Sequence, residues 1–309
     1  MDHGHPPQLN TPTGLPAREI ALAALVSLLL FGVYMLTFDG TLHSTDTLSM
    51  LAVAENMIKH GTVDTVQLEN WESAALGPDG RPYTFFPIGP SLLMIPFYFI
   101  ALHLPLLGLS QTTILLMPFS GALAGGFIYL TCRRLGYSRN PALSATLLGG
   151  VGTMIWVYVY DLTAEPLTYF SLAVAFYFAL AYRQDGRLRQ LFLMSLALAL
   201  TLLHKVVNLG IVPFFLWYVA IPNFRIFDFK RFNWRAIAVA APAVVLAVLA
   251  FFAYNSYRFS DPLDAGYRFN YFFRIPLWVG VVGLLTNPYK SIFLYVPLFI
   301  LLPFTVKSM

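Results

Sequence analysis

Long apolar runs recur along this chain, parted by short polar stretches. They fall at roughly 20–37, 111–131, 141–160, 165–182, 191–204, 206–222, 236–256 and 292–306. Most approach the ~20 residues with which a helix crosses about 30 Å of hydrocarbon. The run 191–204 is short for a span, so it either tilts little or continues through His204. Two further apolar segments, 87–109 and 275–286, are ambiguous. The first contains Pro87, Pro90, Pro96 and Pro105, and prolines at that density kink or break helices.

The polar stretch that stands out is Leu42–Gly61, LHSTDTLSMLAVAENMIKHG, directly after the first apolar run. Ser44, Thr45 and Asp46 offer side chains for an N-cap, and Leu48, Leu51, Met57 and Ile58 follow at roughly helical spacing. The pattern predicts an amphipathic helix headed by an aspartate at the mouth of a membrane helix.

Basic residues cluster at Arg133/Arg134/Arg139, at Arg183/Arg187/Arg189 and at Arg225/Lys230/Arg231/Arg235. If Arg18 is cytoplasmic and 87–109 does not cross, all three clusters fall inside, as the positive-inside rule requires. The loop Phe38–Phe86 carries only Lys59 and Arg81 against seven acidic residues, which suits the outside. The expected fold is an all-α polytopic membrane protein with its N-terminus in the cytoplasm. It has about eight spans and outer juxtamembrane helices, 87–109 among them. Residues 1–18 read as a disordered cytoplasmic tail and 19–309 as one transmembrane domain with an external loop, 38–110.

Composition sharpens this reading. The 309 residues are 58% hydrophobic and 11% charged, against about 25% charged in ordinary globular chains. The net charge of +4 does not imply nucleic acid, because the basic residues sit in short loops between apolar runs. Cys132 is the single cysteine, so an intramolecular disulfide and a cysteine-based metal cluster are excluded. His3 and His5 form an HxH in a proline-rich tail that supplies no further metal ligands. No P-loop and no dinucleotide glycine fingerprint is present. Gly125 and Gly126 are small residues that permit close helix packing.

On this topology each external turn carries ionisable groups at the membrane boundary. Asp46 follows the first span. Asp161 and Glu165 are four apart, so a helical turn would put both on one face. His204 and Lys205 interrupt LALALTLLHKVVNLG, and Arg258, Asp261, Asp264, Arg268, Arg274 and Lys290 punctuate the last loop. Each also has a plainer reading. Asp46 caps a helix, and Glu165, before Pro166, caps another. His204 and Lys205 snorkel to headgroups, and Arg268 and Arg274 sit in an aromatic belt. Taken together, carboxylates on two outer loops and cations on two others describe a site for an anionic, membrane-embedded substrate. For a sugar carried on a lipid phosphate, Lys or Arg would stabilise the leaving phosphate. Asp46 would be the general base for the acceptor hydroxyl, and Glu165 would hold a divalent metal or position the acceptor.

The order of features resembles the GT-C superfamily of membrane glycosyltransferases, which includes protein O-mannosyltransferases and aminoarabinose transferases. More closely, it resembles a set of bacterial GT-C-like membrane proteins. The stretches that carry the resemblance are STDTLSMLAVAENMIKHG, GPDGRPYTFFPIGPSLLMIPFY, RRLGYSRNPAL, DLTAEPLTYFSLAVAFY, YNSYRFSDPLDAGY and NPYKSIFLYVPLF, spread over about 18–306. The resemblance implies a GT-C-like helical bundle in a bacterial inner membrane, with its active site on the outer face. Asp46 matches the first-loop catalytic carboxylate and Glu165 the second-loop acid. Together they are the candidate ligands of a divalent cation, Mg or Mn. Lys205, His204, Arg258, Arg268 and Lys290 are the candidate donor-phosphate ligands. The expected activity is inverting transfer of a sugar from a polyprenyl-phosphate donor to a glycan, lipid or protein acceptor, with membrane lipids but no nucleic acid as partners. A transporter or flippase of lipid-linked glycans, or an inactive lipid-binding relative, is the alternative. The chain departs from the pattern where Thr47 follows Asp46 in place of a second acid. It departs again where Thr84-Phe85-Phe86 stands in a segment that often carries lysine.

Overall fold

The computed structural model describes residues 14–68, 73–104, 108–161, 163–221, 232–267, 275–289 and 291–301. The first 13 residues of the tail, for which disorder is expected, lie outside the described residues. Helix α1 spans Ala17–Met35 and is followed by α2, Thr45–Lys59. A hairpin comes next, β1 at Ala74–Leu76 and β2 at Pro82–Thr84, and then α3 at Gly89–His103. Helix α4 (Leu109–Ile114) runs into α5 (Leu116–Arg134), and α6 (Arg139–Val151) is followed by the single turn α7 (Ile155–Tyr158). Helices α8 (Ala164–Asp185) and α9 (Leu188–His204) lead through a 3-10 stretch, Val206–Ile211, into α10 (Val212–Ala220). Helix α11 (Trp234–Phe259) precedes the short α12 (Leu277–Thr286) and α13 (Ile292–Tyr295).

The long helices pack in the order α1, α5, α8, α9, α11, with α6 beside α5 and α1. Small residues let them approach. Ala175, Ala179, Ala197, Ala236, Ala240 and Ala247 are buried where α8, α9 and α11 meet Leu191, Met194 and Leu198. Between α1 and α5 the expected glycine contact is present: a Cβ on Gly126 would stand 2.3 Å from the Ser27 hydroxyl and 3.2 Å from the Ala23 carbonyl.

Polar ties mark one end of this bundle. Glu19, 1% exposed near the start of α1, takes hydrogen bonds from Arg133 at 2.8 Å, Arg139 at 2.6 Å and Tyr129 at 2.7 Å. Arg134 reaches Asp185 at 3.2 Å, joining the C-terminal ends of α5 and α8. Asn233, the N-cap of α11, donates to the Tyr182 hydroxyl at 3.0 Å. The opposite end therefore gathers the C-termini of α1, α9 and α11 and the N-termini of α5 and α8. It is covered by α2, the hairpin and α3. Ser91 donates to the Met50 carbonyl at 2.8 Å and Tyr98 to Glu55 at 3.0 Å, so α3 lies along α2. The start of α3 rests on the end of α9, where a Cβ on Gly89 would come within 2.4 Å of the Leu203 carbonyl oxygen. Helix α3, the described helical part of the proline-rich segment 87–109, thus stays at this end, although Pro96 sits inside it.

Among the described residues the chain is mostly helical, and four helices are long and apolar enough to cross a membrane. They are Ala17–Met35, Leu109–Arg134, Ala164–Asp185 and Trp234–Phe259. Within the described residues, the other four of the eight apolar runs do not form single helices of that length. The run 141–160 is divided, because Gly149, Gly150 and Gly152 weaken the helix and it stops at Val151 before restarting at Ile155. The runs 191–204 and 206–222 give shorter apolar helices, Leu188–His204 and Val206–Ala220. In the run 292–306 the four-residue α13 ends before Pro297, which blocks its continuation, and residues beyond 301 lie outside the described ones. The all-α expectation is also modified by the hairpin, in which Ala74 pairs with Thr84 and Leu76 with Pro82. Its turn, Gly77-Pro78-Asp79-Gly80, closes through Gly77 N–H to Arg81 O at 2.8 Å, with Gly80 at φ +78°.

Candidate functional site

A cavity of about 510 Å³ opens at the covered end of the bundle. Its walls come from segments far apart in the chain. The N-cap and first two turns of α2 give Ser44, Asp46 and Met50, and the exit of β2 gives Phe85, Phe86 and Pro87. The connection into α8 gives Asp161, Thr163 and Glu165, and the end of α9 gives His204 and Lys205. Phe251 of α11 and Tyr267 complete the apolar side.

The start of α2 is fixed by its own sequence. Ser44 is the N-cap, its backbone extended and its hydroxyl accepting the Thr47 N–H at 3.2 Å. Asp46 then stands in the first turn, where the helix dipole favours a negative charge. Thr47 is fully buried and donates to Asp161 Oδ1 at 2.5 Å. Because the Thr47 proton goes to Asp161, the 2.8 Å contact between Ser44 Oγ and Thr47 Oγ1 has Ser44 donating. A hydroxyl chain therefore joins the head of α2 to the turn before α8. The S-x-x-T spacing that builds it is visible in the sequence, and its long-range partner is not.

The carboxylates differ in their surroundings. Glu165 forms an ion pair with Lys205, whose ammonium donates to Glu165 Oε1, and the two side chains are 32% and 42% exposed. Asp46 has no cationic partner among the described residues. Its nearest polar contacts are hydroxyls, with Ser73 at 3.5 Å. Partial burial pushes the Asp46 carboxyl above the ordinary aspartate value, and the negative charges of Asp161 and Glu165 push the same way, against hydrogen bonds from Ser73 and Thr45. Asp46 is thus a cavity carboxylate held toward higher proton affinity, the direction that suits a base working near neutral pH.

His204, the last residue of α9, is 1% exposed, and neither ring nitrogen has a hydrogen-bond partner among the described residues. Its neighbour Lys205 has left helical geometry, with φ −152° and ψ 120°, which turns the ammonium toward α8.

Of the sequence candidates, Asp46, Glu165, His204 and Lys205 line this one cavity. Asp161 joins them, although it precedes α8 instead of sharing a helical turn with Glu165. Glu165 lies inside the first turn of α8, and the N-cap is Thr163. Arg258 is not among the cavity residues. It is 0% exposed, stacks 3.8 Å from the Tyr254 ring centroid and donates to Asn255 Oδ1 at 2.7 Å. It also donates to the Thr84 carbonyl. Its Nη1 donates to carbonyls at the exit of β2 while Nη2 and Nε bond within α11, so it clamps the hairpin to α11. Arg268 and Lys290 lie outside the described residues.

A divalent cation on Asp46 and Glu165 is not favoured by this donor set. The Lys205 ammonium already holds Glu165, the Thr47 hydroxyl holds Asp161, and no three His, Cys, Asp or Glu side chains among the described residues are grouped to ligate one ion. Comparison with protein-family models, with curated proteins and with solved structures found no match to this chain.

Proposed function

We propose that this chain is a membrane glycosyltransferase of the GT-C kind, moving a sugar from a polyprenyl-phosphate donor to an acceptor hydroxyl. The observation that carries the reading is the sharing of one cavity by Asp46, Asp161, Glu165, His204 and Lys205, drawn from three separate connections at the same end of the bundle. In this reading the shorter apolar helices, Leu188–His204 and Val206–Ala220 among them, complete a bundle of about eight crossings around the four long ones. The arginine-rich end faces the cytoplasm, and the cavity faces the outer side of a bacterial inner membrane. Helices α2 and α3 then lie along the outer surface, as the resemblance implies.

Asp46 accepts the proton of the acceptor hydroxyl as that oxygen attacks the anomeric carbon. The bond from the anomeric carbon to the phosphate oxygen breaks on the opposite side, which inverts the centre. The electron pair leaves with polyprenyl phosphate. Lys205, turning from Glu165, neutralises the phosphate. Asp161, fixed by Thr47, positions the acceptor. No step is routed through a metal.

One observation favours a second reading, an inactive lipid-binding relative: the residue after Asp46 is a threonine, and its hydroxyl is committed to Asp161. Incubating the purified protein with radiolabelled polyprenyl-phosphate sugar and mixed acceptors separates the two. Labelled product from wild type, lost in Asp46→Asn at unchanged thermal stability, is the expected result. Product from Asp46→Asn at the wild-type rate would remove Asp46 from its role. Retained label without product would support the inactive relative, and label moved across a vesicle membrane without transfer a flippase.

A further inference from the structure

We infer that His204, with Thr163, reads a hydroxyl of the donor's sugar and leaves the phosphate to Lys205. The inference rests on the glycosyl-donor reading above and specifies it. Seven buried side-chain polar atoms have no hydrogen-bond partner among the described residues. Three of them, Thr163 Oγ1 and both ring nitrogens of His204, belong to residues in the wall of the one cavity. Buried polar groups in folded proteins are nearly always bonded, because each unmade bond has a free-energy cost. Two such side chains sharing a cavity mark the position of a ligand's own polar groups.

The chemistry of those atoms selects the ligand group. Burial without an anion in contact keeps the imidazole uncharged, so one nitrogen donates and the other accepts. The Thr163 hydroxyl also does both. A phosphodiester at neutral pH offers acceptors only, and would leave the imidazole lone pair unmatched. A sugar hydroxyl donates and accepts, and vicinal hydroxyls can serve His204 and Thr163 together. Depth separates the two neighbours as well. His204 is 1% exposed, whereas the Lys205 side chain is 42% exposed and paired with Glu165. The ammonium is therefore the more open of the two to an arriving phosphate, and the imidazole, in the cavity wall, is the more enclosed. The close seat of α3 at Gly89 against Leu203 and His204 holds that wall in place.

The test compares binding of undecaprenyl phosphate with that of undecaprenyl phosphoglucose and phosphomannose to the purified full chain in detergent, read by thermal shift and native mass spectrometry. Wild type is expected to bind at least one sugar-bearing lipid about tenfold more tightly than the bare lipid phosphate. His204→Leu should abolish that preference while holding bare-lipid affinity within roughly twofold, and His204→Gln, which keeps a donor and an acceptor, should restore part of it. Lys205→Met should weaken both lipids alike. Without ligand, His204→Leu should be at least as heat-stable as wild type, since it removes unpartnered buried atoms. Equal weakening of both lipids by His204→Leu would return His204 to the phosphate and overturn the inference. A less stable His204→Leu with unchanged preference would make it a packing residue and also overturn it. Wild type that binds none of the lipids would overturn the glycosyl-donor reading itself, and this inference with it.

Discussion

Glu19→Gln is the substitution whose outcome the structure constrains most tightly. The carboxylate is 1% exposed and joins three donors from two helices: Tyr129 and Arg133 from α5 and Arg139 at the start of α6. Glutamine keeps the shape and one acceptor oxygen but loses the charge and the second acceptor. Arg139 is 40% exposed, keeps its hydration and is given no share of the loss. The Tyr129 and Arg133 contacts, at 2.7 and 2.8 Å, are charge-assisted bonds of the kind that contribute ~1.5–3 kcal/mol each. Retention of one acceptor halves the damage, so the expected destabilisation is about 1.5–3 kcal/mol. Reversible unfolding in mixed micelles, titrated with denaturing detergent and followed by tryptophan fluorescence, measures it. Tyr129→Phe alone should cost about 1 kcal/mol. The double variant should cost less than the sum, because both changes act on one carboxylate. The cavity is at the opposite end of the bundle, so lipid-induced stabilisation should be unchanged. A Glu19→Gln protein within ~0.5 kcal/mol of wild type would refute the view that this cluster holds α1 to α5 and α6.

Three further outcomes are expected. Arg258→Ala should destabilise by roughly 2–4 kcal/mol, from lost bonds to charged donors offset by removal of a buried charge, and should make the hairpin a site of limited proteolysis; an intact hairpin would contradict its role as a clamp. The raised Asp46 carboxyl binds its proton more tightly folded than unfolded, so its ionisation lowers stability as pH rises from the unfolded value, ~3.9, through the folded one. Asp46→Asn should therefore exceed wild type in stability at neutral pH and match it below that window, and the acid limb of any transfer reaction should lie above that of an ordinary aspartate; a pH-independent difference would refute this. Gly89→Ala should unseat α3 from the end of α9, since its Cβ meets backbone at 2.4 Å, which is read as faster amide exchange in α3 and weaker ligand binding with α8 and α9 unaffected.

The four helices long and apolar enough to cross a membrane were legible because apolar length alone decides them. Where the helices stop was harder to read. Gly149, Gly150 and Gly152 part α6 from α7, yet hydropathy passes over them as one run. The hairpin rests on three-residue strands, too short for any alternation to register, although Pro78-Asp79-Gly80 carried a turn signal. The gathering of Asp46, Glu165, His204 and Lys205 followed from connectivity, since connections at alternate ends of antiparallel helices must share a face. Arg258 shows the limit of that logic. It stands at the same end of the bundle, but α11 is apolar nearly all round, so no stripe in the sequence tells which side its arginine takes. The Thr47–Asp161 bond is likewise a contact across 114 positions that local pattern does not encode.

The pairing of Lys205 with Glu165 has a consequence for how the cavity fills. Three carboxylates there, Asp46, Asp161 and Glu165, face a single ammonium among the described residues. A guest phosphate that recruits Lys205 strips Glu165 of its counter-charge and deepens the negative excess around it. On the proposed function, electroneutrality would then make loading a two-passenger event, in which the anion is followed by a proton or a mobile monovalent counter-ion from the surrounding water. Occupancy of the vestibule should therefore respond to acidity and to the ionic medium even though the guest itself titrates elsewhere.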